Sequence, residues 1–171
     1  MCKIGILLLD RDFEHDIYEL IKAFYPEGDI HSLYEKDEEE YDIFFTVKKE
    51  NDDFVINYET KDCKGATCAQ IIKDADEKEA SDAHELRKAN KDSLKYALYN
   101  VLVKLTGRTL PWGNLTGIRP AKLAMGMIES GMKNTEIAQE MRERYLVSAK
   151  KTALAITIAN RERALLQDID Y

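Results

Sequence analysis

Three groups of residues in this 171-residue chain have types and spacing that could do chemistry. The first is the thiol pair Cys63 and Cys68. Thiolates bind soft metals, but a closed tetrahedral site takes four ligands. His15, His31 and His84 show no zinc-type spacing to the pair. Packing thiols are the simpler reading, and no metal is assigned here. With Cys2 the count is odd, which argues against a disulfide framework. The second group is "DRDFEHD", Asp10 to Asp16. Its carboxylates and imidazole could ligate a cation. They also open an amphipathic segment, where acids complement the positive end of a helix. The third is "LPWGNLTGIRPAKL", Leu110 to Leu123, which holds the only Trp, two of eight Gly and two of three Pro.

That third stretch has two physical readings. Gly113 to Gly117 lacks the spacing of a phosphate loop and its closing Gly-Lys-Ser/Thr. The chain has no Gly-x-Ser-x-Gly elbow or other nucleophile signature. Pro111 stiffens the start of the stretch, and Gly113 and Gly117 permit positive φ or close backbone approach. Thr116 can bond nearby backbone N–H groups. Pro120 suits the first turn of a helix, which puts Arg119 beside that helix's N-terminus. Arg119, Lys122 and the exposed N–H groups could form an anion pocket walled by Trp112. The same residues suit a tight connector, in which Trp112 anchors the loop and Arg119 pairs with an acid of the N-terminal half.

The elements around these groups are legible from periodicity. "KIGILLL" reads as a buried strand. Phe13, Ile17, Leu20, Ile21 and Phe24 share one helical face, with Asp12 as the cap and Pro26 and Gly28 beyond the end. "DIHSLY" is a second strand. "YDIFFTVKK" and "DFVINYET" alternate with period 2 around "ENDD" and predict a hairpin. Ala69, Ile71 and Ile72 fit a helix, and the charged segment after Lys73 reads as an acidic helix or a loop. From Asp92, Leu94, Ala97, Leu98, Val101, Leu102 and Leu105 form a stripe that Gly107 ends. Three more helices follow. One runs from Pro120 to Gly131, with Leu123, Met127 and Ile128 inward. One is capped by Asn134 or Thr135 and buries Ile137, Ala138, Met141 and Tyr145. The last is capped by Ser148. The expectation is an α+β fold: a small antiparallel or mixed sheet with a packed helix over residues 1–81, then an all-helical part over residues 82–171.

Apolar residues at 44% and charged residues at 33% describe an ordinary globular protein. No apolar run reaches the roughly 18 residues that cross a bilayer, and the N-terminus makes a poor signal peptide, so a cytoplasmic location without membrane partners is expected. The net charge of −7 is uneven. Residues 1–86 hold 24 acids and 10 bases, and residues 87–171 hold 8 acids and 15 bases. Either the halves attract each other or the basic part meets an anion. "NTEIAQEM" with "VSAKKTALAITIA" also resembles a helix-turn-helix, with Lys150, Lys151, Arg161 and Arg163 as phosphate contacts. Eleven positions separate Ile137 from Ser148, several more than that motif uses, which favours a plain αα-hairpin over a nucleic-acid-binding module.

"LPWGNLTGIRPAKLAMGMIESG" resembles the segment that precedes the radical SAM core in HemZ-type coproporphyrinogen dehydrogenases, relatives of oxygen-independent coproporphyrinogen III oxidase. The matching residues are Leu110, Pro111, Trp112, Gly113, Leu115, Thr116, Gly117, Arg119, Pro120, Lys122 and Leu123. The helical tail through "ANRERALL" is similar too, so the likeness covers residues 92–171 well and the N-terminal strands loosely. The resemblance implies haem biosynthesis by oxidative decarboxylation of propionates, with a four-iron–four-sulfur cluster and S-adenosylmethionine in the full-length relative. It implies partnership with a radical SAM barrel and contact with a porphyrinogen. The family holds its cluster with Cys-x-x-x-Cys-x-x-Cys, and no such triplet occurs here. The expectation is therefore an N-terminal accessory fragment, inactive alone, with the barrel downstream. Trp112, Gly113, Thr116, Gly117, Arg119 and Lys122 are its candidate substrate or interface residues, and none is catalytic. A nucleic-acid-binding module and a ligand-free interaction domain are the alternatives.

Overall fold

The computed structural model describes residues 2–71 and 80–167. The elements run β1 (Lys3–Leu8), α1 (Glu14–Phe24), β2 (Asp29–Leu33), β3 (Ile43–Glu50), β4 (Asp53–Thr60), β5 (Lys64–Gln70), α2 (Ala80–Thr106), α3 (Pro120–Glu129), α4 (Asn134–Glu143) and α5 (Ala149–Gln167). They form two compact units, residues 1–108 and 109–171. The fold is α+β, with a mixed sheet and packed helices first and an all-helical part after it.

In the first unit the strand order is β2-β1-β3-β4-β5. β1 is parallel to both β2 and β3, while β3, β4 and β5 form an antiparallel meander. The period-2 pattern sets the faces. Ile4, Ile6 and Leu8 line up with Ile43, Phe45 and Val47, then with Tyr58, Ile56, Phe54 and Ala69, and all of these are buried. On that side Phe24 of α1 meets Tyr99 of α2 edge-on at 5.2 Å, and Phe13 meets Phe54 at 6.0 Å. The opposite side carries partly exposed residues such as Phe44, Thr46, Val55 and Asn57.

Two glycines are fitted to aromatic rings across neighbouring strands. Gly5 pairs with Phe44, and Gly65 pairs with Tyr58. A Cβ on Gly5 would stand 2.6 Å from Phe44 Cδ2, and one on Gly65 would stand 2.9 Å from Tyr58 Cε1. Each ring covers the backbone that its glycine leaves open.

Several local expectations are corrected. The segment around Ala69 and Ile71 is not helical: Lys64 to Gln70 is β5, which completes the hydrogen bonding of β4. Ile72 and Lys73 lie outside the described residues. α2 begins at Ala80, well before Asp92. Position 82 lies within α2, and the two compact units part at 108/109. The reason is packing: α2 lies on β5 and α1, with Leu94, Leu98 and Leu102 buried and the Ser93 hydroxyl donating to Gln70 O at 3.2 Å. Asp12 does not cap α1. Phe13 holds that position at φ 62°, and the Asp12 carboxylate is drawn to Lys49 at 2.5 Å and Arg87 at 3.4 Å. In α4 the cap is Lys133, whose N–H donates to Glu136 at 2.7 Å, and Asn134 is the first helical residue.

The uneven charge resolves mostly within the first unit. Residues 87–108 carry six bases and one acid, of which all but Arg108 lie in α2. Arg87 meets Asp12, and Lys91 and Lys95 approach Asp16 at 3.7 and 4.0 Å. Burial pulls the Lys95 ammonium below the ordinary lysine value, and Asp16 opposes that shift. The helical unit, residues 109–171, is left with nine bases against seven acids.

Candidate functional site

The site is built on the second unit, whose core is Ala124, Met125, Ile128, Ile137, Met141, Tyr145, Val147, Ala155 and Ala159. Small alanines on α5 let it lie close to its neighbours, and α3 and α4 both pack on it. Trp112, Leu115 and Leu123 pack against this core from the Leu110–Leu123 stretch.

The stretch is held to the connector between α4 and α5 by backbone bonds. Asn114 N–H donates to Tyr145 O at 3.0 Å, and Ser148 N–H donates to Pro111 O at 3.0 Å. The Asn114 side chain is buried and donates through Nδ2 to Arg144 O at 3.4 Å. Internal turns close from Gly113 N–H to Leu110 O at 3.0 Å and from Leu115 N–H to Trp112 O at 3.2 Å. Gly113 is buried at φ 59°. A Cβ there would stand 2.5 Å from Leu146 C and nearer still to Tyr145 O. The connector is matched to it, with Leu146 also left-handed at φ 57°. Lys151 Nζ lies over the Trp112 ring at 5.1 Å, adding a cation–π contact from the first turn of α5.

Past Gly117, at φ 71° with open space around it, the stretch turns outward. Ile118, Arg119 and Lys122 are exposed. Pro120 is the first residue of α3, with Arg119 as the extended cap. Pro120 has no N–H, and the Lys122 N–H donates to Arg119 O at 3.0 Å. The helix start therefore offers an anion the Ala121 N–H, the positive end of the dipole and two side-chain cations three residues apart. Within its own unit, and among the described residues, Arg119 makes no ion pair.

The six candidate residues divide by role. Trp112 and Gly113 sit in the buttressed part, and Thr116 is half-buried at the turn outward. Gly117, Arg119 and Lys122 form the exposed part. Sequence reasoning missed Asn114 and Leu146, and it gave Tyr145 and Lys151 other roles, as a core residue and a phosphate contact. Their partners lie some thirty residues away in the chain, and no local periodicity marks such pairs.

Cys63 and Cys68 flank and enter β5, and both are exposed. Cys63 Sγ lies 3.3 Å from Thr60 Oγ1. Among the described residues no three His, Cys, Asp or Glu side chains converge on a common point. These thiols do not provide the three-cysteine cradle that a four-iron–four-sulfur cluster takes. Among the described residues no helix is long and apolar enough to cross a membrane.

No family model matches the chain, and no solved structure matches it. Over 85 residues it is 36% identical to the oxygen-independent coproporphyrinogen-III oxidase-like protein HemZ of Bacillus subtilis (strain 168). The matched stretch is 50% of this chain and 17% of that protein's length. The similarity bears out the resemblance to HemZ-type proteins.

Proposed function

We propose that this chain is an accessory domain of a HemZ-like, oxygen-independent coproporphyrinogen III oxidase-like radical SAM enzyme of porphyrin biosynthesis. The observation that carries the reading is the 36% identity to HemZ over half of the chain. In this reading the domain packs beside a radical SAM barrel, in the same polypeptide or a partner, and helps cover its substrate mouth. The barrel, with its own cysteine triplet, holds the cluster and S-adenosylmethionine. This chain supplies no reacting group.

Its own residues bind and orient. Coproporphyrinogen carries four propionates, and Arg119 and Lys122 would pair with one or two of them at the start of α3. Net charge adds little to this, because residues 109–171 are only slightly basic. The contact rests on two local cations and a helix dipole. Backbone bonds to Tyr145 and Ser148 hold the loop that leads to those cations.

The test is the genomic sequence that follows the Tyr171 codon. A Cys-x-x-x-Cys-x-x-Cys within a few tens of codons, or a neighbouring gene whose product carries it and co-purifies with this chain, is the expected result. Neither being present would overturn the accessory role.

A further inference from the structure

Period 2 in β3 sends Ile43, Phe45 and Val47 into the core and Phe44 and Thr46 to the other side of the sheet. There the Tyr41 ring, from the segment before β3, meets the Phe44 ring at 5.5 Å. Gly5 makes room for the pair, since a Cβ on it would stand 2.6 Å from Phe44 and 3.0 Å from Tyr41. The Tyr41 hydroxyl donates to Asp37 Oδ2 at 2.8 Å. Asp37, Tyr41, Phe44 and Thr46 line a hollow of about 430 Å³, a volume within the range of small-molecule sites. An adjoining hollow shares Phe44 and Thr46 and runs on to Asn57. Thr46 and Asn57 are paired across β3 and β4, and Thr46 stands about 7 Å along β3 from Phe44. Among the described residues neither of these two polar side chains makes a hydrogen bond.

The charges of the hollow point to a cationic ligand. Lys61 is held by Asp42 at 3.0 Å, Lys3 by Glu39 at 2.6 Å, and Lys64 pairs with Glu59. Asp37 has no ion pair among the described residues and accepts only from the Tyr41 hydroxyl and, at 3.3 Å, from Glu39 N–H. Lys36 is the exposed base of a wall, residues 35–40, that holds five acids. The local field therefore attracts cations and repels carboxylates. The Tyr41 ring already carries one ammonium, Lys3 Nζ at 5.1 Å from its centre. We propose that this hollow binds an arylalkyl ammonium. The ammonium pairs with Asp37, the ring lies on Phe44, and a polar group at the far end bonds Thr46 and Asn57. The site belongs to the first unit alone and shares no residue with the start of α3.

The test is a titration of the full ¹⁵N-labelled chain followed by amide chemical shifts. The probes are tyramine, phenethylamine, which lacks the hydroxyl, and 3-(4-hydroxyphenyl)propionate, which carries the opposite charge. A ligand of this size binds at about 1 mM, so the probes are taken to about 20 mM. The expected result is saturable shifts at Asp37, Phe44 and Thr46 with tyramine, weaker binding of phenethylamine and no saturation with the propionate. Asp37→Asn, which can still accept from Tyr41, weakens tyramine at least fivefold with the circular dichroism spectrum unchanged. Thr46→Val, a change of hydroxyl to methyl, at least halves the advantage of tyramine over phenethylamine. No saturable shift with tyramine overturns the proposal, as do shifts centred elsewhere in the chain. Equal affinity for the propionate, or an Asp37→Asn chain that binds tyramine as well as the parent, overturns it too.

Discussion

Gly113 lies against the carbonyl of Tyr145 so closely that no side chain fits between them. The contact joins the loop before α3 to the connector after α4, with Asn114 N–H donating to the same Tyr145 oxygen at 3.0 Å. A Cβ on Gly113 would have to displace main chain, which cannot swing aside as a side chain can. Gly117 is also left-handed, at φ 71°, but has open space around it. Gly113→Ala is therefore expected to cost the helical unit about 3 kcal/mol, by strain at positive φ plus backbone overlap. Gly117→Ala should cost about 1 kcal/mol, from φ alone. Urea unfolding of both variants checks the contrast, and equal costs would contradict the buttress.

Asn114 tests the same joint without touching φ. Its buried Nδ2 donates to Arg144 O at 3.4 Å. Asn114→Ala leaves that bond unmade at a buried position, and the expected loss is about 1–2 kcal/mol in the same unfolding experiment.

In the sheet, Gly65→Ala should lower the melting temperature, because Tyr58 lies where the new methyl would go. The expected cost is about 1–3 kcal/mol. Tyr58→Phe keeps the ring over Gly65 and removes only the hydroxyl that accepts from Lys104 Nζ at 3.3 Å, so it should cost about 1 kcal/mol or less.

Acid should destabilise the first unit partly through Asp12. The hydrogen bond from Lys49, with Arg87 helping, holds its carboxyl below the ordinary value of 3.8. A depressed folded-state pKa contributes stability that is complete above the unfolded value and is lost as pH falls through the folded one. Melting followed from pH 6 downward should thus show a smaller acid loss for Asp12→Asn than for the parent chain. Asp12 is 41% exposed, so solvent screening keeps the difference small.

The sequence announces some of this molecule and conceals the rest for physical reasons. Alternation of Ile43, Phe45 and Val47 with Asp42, Phe44 and Thr46, ahead of the turn formers Asn51 to Asp53, makes the hairpin plain, and Pro120 marks the start of α3. β5 is hidden because its inward positions are Gly65, Thr67 and Ala69, too small to show a strand's apolar period. They are small because Tyr58 and its neighbours on β4 fill the space, a reason that lies on another strand. The first turns of α2 are hidden by charge, since Arg87 and Lys91 reach acids of α1 and its approach rather than an apolar core. In the candidate site the family motif is legible, and so are Arg119 and Lys122. The connector at Tyr145 and Leu146 is not, because a backbone-to-backbone joint leaves no side-chain pattern.

The central claim is that a rigid loop presents Arg119 and Lys122 to a propionate-bearing tetrapyrrole. Both side chains are exposed, so Arg119→Ala and Lys122→Ala should each change stability by no more than about 0.5 kcal/mol. The most direct measurement is a fluorescence titration of the full chain with coproporphyrin, repeated with Arg119→Ala. The account predicts saturable binding that the variant weakens about tenfold, or about 1.4 kcal/mol, with its unfolding curve unchanged. Absence of saturable binding, or equal affinity in the variant, would contradict it.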